Sequence, residues 1–217
     1  MRRVESPRGG FDSFLNTRGY TARNYLYDIV GTQCLRTMRY KEAVNYFKVI
    51  STAYQYHHNL YMDYDPFCVE HERIEQKINF KYDFAKEMHS LQQSINATED
   101  PDRKAEFMVK YAVGIRNSFT YCWALTQYYK GTSYYGQVCD KRDWQNDPHT
   151  KAAMKRSKEM VNLALEIVSD DELGANILYD MSNYKTVANK YPNTIKALSN
   201  TYTANHRFHK TLTNIII

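Results

Sequence analysis

Glycine and proline are scarce, at 8 and 5 of 217 residues. That disfavours a turn-rich β sandwich and long disordered linkers, and it favours helices joined by short connections. Cysteine is sparse too: Cys34, Cys68, Cys122 and Cys139 lie far apart, and none belongs to a C-x-x-C pair. Neither a zinc ribbon nor a thioredoxin-type site is signalled, and the redox compartment is left open. No apolar run reaches the length needed to span a bilayer as a helix. Met1-Arg2-Arg3-Val4-Glu5-Ser6-Pro7 has charge but no apolar run after it, so it does not read as a signal peptide. Ile215-Ile216-Ile217 is too short to anchor the chain, and the abrupt start with an apolar end raises the expectation of a fragment of a longer protein. No glycine-rich phosphate loop occurs, and neither Ser118 nor Ser133 sits in a nucleophile elbow.

What is present is ordinary in bulk and unusual in one residue. The hydrophobic fraction of 43% and charged fraction of 24% suit a folded domain with a real core. Tyrosine stands out, with 20 residues. Most of these fall at helical spacing beside other apolar residues, which points to packing; a sticky aromatic surface is the functional alternative. The net charge is +5. One basic group is Arg2, Arg3, Arg8, Arg18 and Arg23, in what reads as a flexible arm over residues 1–18 and the chain just after it. The other is Lys151, Lys155, Arg156 and Lys158, which reads as the solvated face of one helix. A nucleic-acid surface wants a basic stripe with aromatics interleaved; a flexible arm and a solvated helix face do not read as one, so no nucleic-acid partner is expected.

Apolar periodicity predicts about seven helices and no strand. Tyr25, Leu26, Ile29, Val30, Cys34, Leu35 and Met38 share one helical face, and Ala43, Val44, Phe47 and Ile50 mark a second helix after a turn at Arg39-Tyr40. Residues 54–70 read as a long loop rich in Tyr, His and Asp. A third helix is predicted from about Ile74 to Asn96, striped by Ile78, Tyr82, Ala85, Met88, Leu91 and Ile95. Asp100-Pro101 opens a fourth, predicted to run to about Tyr129 with Met108, Tyr111, Ile115, Phe119, Cys122 and Leu125 on one face. After a second long loop over 131–148, a fifth helix spans about 149–168. Ser169-Asp170-Asp171-Glu172 has a capping-box pattern that opens a sixth, stopped by Tyr191-Pro192. A seventh runs from Asn193 to about Leu212.

Tyr27-x-x-Val30-Gly31-x-x-Cys34 followed by Ala43-x-x-x-Phe47-x-x-Ile50 resembles the tetratricopeptide repeat, a helix pair of about 34 residues. The resemblance implies that Gly31 lets two helices approach, that Ala43 sits at their crossing and that Phe47 fills the gap to the next pair. Cys34 departs from the aromatic usual there, and no proline closes the unit. One unit is clear at 24–53, and 149–192 looks like a degenerate copy. Two further stretches, Lys110-Tyr111-Ala112-x-Gly114-x-Arg116-Asn117-Ser118 with Cys122-Trp123-Ala124-Leu125-Thr126, and Asn183-Tyr184-Lys185-Thr186-Val187-Ala188-x-Lys190-Tyr191-Pro192, resemble the C-terminal part of uncharacterised tetratricopeptide-type proteins of Bacteroidetes, many of them exported. The expectation is therefore an all-α fold: antiparallel helix pairs in a short right-handed superhelix, forming one repeat domain over 19–217. A cell-envelope location is favoured by this resemblance alone.

The expected function is a non-catalytic scaffold for a protein or peptide partner, since stacked helix pairs make a concave binding surface. By the resemblance, the first helix lines it with Tyr25, Asp28, Thr32, Leu35 and Arg36. A glycan-binding surface is the alternative, with Tyr134, Tyr135 and Trp144 to stack on sugar rings. A metal-dependent enzyme using the 54–71 loop is the third reading, with His57, His58, Cys68 and His71 as ligands. Adjacent His57 and His58 do not point one way on any regular element, and a polar loop packed by its tyrosines explains the same residues. Glu70, Glu72 and Glu75 crowd a helix start, where negative charge favours the helix dipole without catalysis. No cofactor is expected.

Overall fold

The computed structural model describes residues 22–50, 64–68, 80–120, 122, 125–126 and 147–181. Six helices occur among them: α1 (Ala22–Arg36), α2 (Tyr40–Phe47), α3 (Phe80–Ala97), α4 (Pro101–Ser118), α5 (Pro148–Ile167) and α6 (Asp171–Met181). No strand occurs among the described residues, and the all-α class holds. The expected seventh helix, the arm over 1–18 and the chain beyond 181 lie outside them. No helix of the described residues is long and apolar enough to cross a membrane.

α1 and α2 form the helix pair anticipated from Gly31, Ala43 and Phe47. The Phe47 ring lies against Gly31 so closely that an added Cβ would meet Phe47 Cε1 at 2.6 Å. Ala43 and Phe47 are buried beside Cys34 and Leu35. The turn between the helices is tight. Arg39 N donates to Cys34 O at 2.8 Å and Met38 N to Leu35 O at 3.0 Å, the paired bonds that close a helix C-terminus. Met38 takes the left-handed backbone conformation, φ 58°, where glycine is usual. Its side chain packs on the core, which a glycine could not do.

The helices then pack in chain order, α2 on α3, α3 on α4 and α4 on α5, while α1 also meets α5. Tyr40 of α2 is the aromatic centre of this arrangement. Its ring meets Phe84 of α3 and Tyr111 of α4 edge-on, with centroids 6.2 and 5.9 Å away. α4 and α5 pack with small residues: Ala105, Ala112, Ala153 and Ala164 are fully buried, and Ser157 Oγ donates to Ala112 O at 2.7 Å.

Helix starts follow the sequence in two places and shift in a third. Asp100 caps α4 by accepting from Asp102 N, with Pro101 next. Asp147 caps α5 by accepting from Thr150 N at 2.8 Å, with Pro148 next. At α6 the capping box read from Ser169 is corrected by one residue. Asp170 accepts from Leu173 N at 2.7 Å, and its carbonyl accepts from Gly174 N. Ser169 is drawn off by Asp102, whose carboxylate accepts from Ser169 N, Ser169 Oγ and Asp170 N. The expected reach of the fourth helix to Tyr129 is also corrected: α4 ends at Ser118. Asn117 O accepts from both Thr120 N and Cys122 N, and Thr126 Oγ1 donates to Ser118 O at 2.6 Å, so the chain turns instead of continuing. Phe119, Cys122 and Leu125 are nevertheless buried, as their spacing anticipated.

Two outcomes follow. Gly31→Val forces a branched side chain into the Phe47 ring and lowers stability by about 1–3 kcal/mol in urea unfolding; Phe47→Leu in the same chain recovers part of the loss. The Ser169 backbone bond, then the Ser169 hydroxyl, then the Asp170 backbone bond hold the Asp102 carboxyl below its ordinary value of 3.8. A depressed folded pKa contributes stability that is complete above that ordinary value and is lost as pH falls through the folded one. Asp102→Asn therefore flattens the fall in melting temperature below about pH 4 relative to the parent chain.

Candidate functional site

Among the described residues, a buried ion pair joins α1 to α3. Lys81, at the start of α3, points toward α1. Its Nζ donates to Asp28 Oδ1 at 2.8 Å and to Thr32 Oγ1 at 2.9 Å. Both side chains of the ion pair are about 10% exposed. Asp28 and Thr32 lie one turn apart on α1, so one ammonium reaches both. A charge this deep is tolerated only when paired and hydrogen-bonded.

That arrangement bears directly on the expected partner groove. Asp28, Thr32 and Leu35 are buried, at 7%, 3% and 1% exposure. The chain itself occupies them: Lys81 takes Asp28 and Thr32, and Leu35 belongs to the core. Tyr25 is half-buried and packs on the core. Arg36 is half-buried and its Nη2 donates to Asp147 Oδ1 at 3.0 Å, joining the end of α1 to the start of α5. These five residues are therefore brought to one helix, but three of them face inward and do not form an open lining. Burial pushes the Asp147 carboxyl up; the Thr150 amide and hydroxyl, Arg36 and His149 outweigh it and hold it below the ordinary value.

Sequence reasoning missed a second constellation, around the 64–68 segment. Asn117 of α4, itself buried, donates from Nδ2 to Pro66 O at 3.1 Å and to Cys68 O at 2.9 Å. Asp65 Oδ1 accepts from Phe67 N at 2.8 Å and shapes the turn. The Phe67 ring stacks on Phe84, 5.5 Å between centroids, beside Gly114, where an added Cβ would meet Phe67 Cε1 at 2.8 Å. Lys110 Nζ lies over the same ring and donates to Glu87 Oε1. The signal was available: a glycine and an asparagine three apart on the apolar face of α4 leave room and donors for a foreign strand of chain.

Of the expected metal ligands, only Cys68 falls among the described residues, and it is buried against that clamp. His57, His58 and His71 lie outside them, as do the glycan candidates Tyr134, Tyr135 and Trp144. No group of three or more His, Cys, Asp or Glu placed to hold a metal occurs among the described residues. Burial pushes the Cys122 thiol up to about 12, with Asp65 adding to it, and burial also raises Cys34. Both thiols stay protonated at neutral pH and act as small apolar groups. Burial, with Tyr111 beside it, pushes the Tyr40 phenol well above its ordinary range, and burial raises Tyr111 as well. These phenols are neutral core rings.

The α1–α2 pair carries another arrangement. Arg23 lies over the Tyr27 ring at 5.5 Å and donates from Nε to Tyr27 Oη. Tyr27 in turn lies against Tyr46 of α2, 6.1 Å between centroids. Arg23 is exposed, and both tyrosines are half-buried. Comparison of the chain with family models, with curated proteins and with solved structures finds no match.

Breaking the buried pair provides a test of its part in the fold. Lys81→Met takes the buried ammonium away from Asp28 and Thr32 and costs about 3–5 kcal/mol in equilibrium unfolding. Lys81→Met with Asp28→Leu recovers part of that loss, because both members of the ion pair are then gone.

Proposed function

We propose that this chain is a non-catalytic helical-repeat scaffold that binds a protein or peptide partner. In this reading its helix pairs are tetratricopeptide-like and stack into a short right-handed superhelix of about seven helices. The observation that carries the reading is the α1–α2 pair, where the Phe47 ring seats directly on Gly31 and the two helices approach closely. The pair brings Arg23, Tyr27 and Tyr46 together. Tyrosine and arginine are the residue types that dominate binding hot spots, because they offer apolar area together with a polar handle. Asp28, Thr32 and Leu35 then serve as the support of that surface. A cell-envelope location belongs to the same proposal and rests on the resemblance of the Lys110–Thr126 and Asn183–Pro192 stretches.

The experiment is affinity capture with the full chain from its native cells, beside an Arg23→Glu, Tyr46→Ala variant whose helicity and melting curve are checked first. Recovery of the specific partner falls about tenfold or more in the variant, the loss expected from removing a hot spot. Equal recovery removes this surface.

A further inference from the structure

The charges of α5 run against their own helix. Lys151, Lys155 and Arg156 lie in its first half and Lys158 just past its middle, Glu159 and Glu166 follow, and neither an acid in the first turn nor a base in the last turn is present. The helix dipole favours the reverse order. α2, α3, α4 and α6 each carry an acid in the first turn. Asp147 does cap α5, but Arg36 meets its charge.

Lys151, Lys155 and Lys158 stand at i, i+4 and i+7 and so share one side, away from the stripe of Ala153, Ser157, Met160 and Ala164 that packs inward. Like charges at this spacing repel. One carboxylate serves the group: Glu159 lies 3.9 Å from Lys155 and 3.5 Å from Arg156. The lysine precedes the glutamate, which is the less favourable order. Lys151 and Lys158 are exposed and have no ion pair among the described residues. An arrangement that costs local helix stability on an exposed face is where a binding role is expected.

We infer that Lys151, Lys155 and Lys158 form a docking strip for an acidic segment of a partner protein, its carboxylates spaced to meet three ammonium groups over about 10 Å of helix. The inference rests on the protein-binding reading above and gives it a partner chemistry. A nucleic acid would share the charge, but α5 has no aromatic residue between Lys151 and Ile167 on which a base could stack. An acidic polypeptide needs only the charge.

The probe is a fluorescent oligoglutamate peptide, titrated with the full chain at low and high salt, with an oligothymidylate of similar length as comparison. The variants are Lys151→Gln, Lys155→Gln, Lys158→Gln together, and the same three positions changed to Glu. The parent binds the peptide in a salt-sensitive way. The neutral variant binds about tenfold more weakly, the sum of three exposed charge pairs, and the reversed variant does not bind. The helicity of both variants is checked first, so that a loss of binding reads the surface charge and not the fold. Unchanged peptide affinity in the variants, or tighter binding of the oligothymidylate, overturns the inference. If the parent captures its native partner yet ignores the peptide, and the lysine variants capture that partner equally well, the docking strip falls and the scaffold reading stands.

Discussion

A buried ammonium group has to be met wherever it lies, and in this chain Lys81 of α3 is met by α1. Among the described residues its Nζ donates to Asp28 and Thr32, one helical turn apart, and such paired bonds favour one register of α3 along α1. Apolar contacts alone are more tolerant of sliding. In the same packing the rings of Phe84 and Tyr111 meet Tyr40, and Asn117 of α4 donates to the 64–68 segment.

Beside this charged pair, several neutral polar groups are held by specific bonds within the apolar core of the described residues. Asn117 donates to two backbone carbonyls, Gln92 Nε2 donates to Tyr111 Oη, and Ser157 to Ala112 O. Bonds of this kind add modest net stability, but leaving one unmade is costly, so they select one packing over its near neighbours. The abundance of tyrosine fits the same economy of shape: Tyr40 and Tyr111 are core rings, whereas Tyr27 and Tyr46 stay half-buried.

Much of this was legible in the sequence, and the exceptions have physical causes. Gly31, Ala43 and Phe47 announced the helix pair because close approach needs a small residue wherever it occurs. Asp100-Pro101 marked a helix start because the cap chemistry is local. Ser169 misled because, instead of accepting from the start of α6, its hydroxyl donates to Asp102, which lies 67 residues away in sequence. The end of α4 was hidden for a similar reason: the apolar period continues through Phe119, Cys122 and Leu125 although the helix does not, since burial and helicity are separate properties. Lys81 was readable in part. It sits at a core position of the α3 stripe, in register with Phe84, Ala85 and Met88, and a lysine there requires a buried acceptor. The partner groove drawn on α1 failed to anticipate that Asp28 and Thr32 would be those acceptors.

The Arg36–Asp147 bond joins residues separated by 111 positions in sequence. Bringing such distant groups together exacts a large loss of chain freedom before the bond gives anything back. The α1–α2 turn, closed by bonds between near neighbours such as Arg39 and Cys34, asks almost none. Short-range closure of this kind favours formation of the α1–α2 hairpin ahead of the meeting of α1 with α5. A contact that forms late acts on how long the folded state lasts more than on how fast it is reached, and the Arg36–Asp147 junction has the separation expected of one.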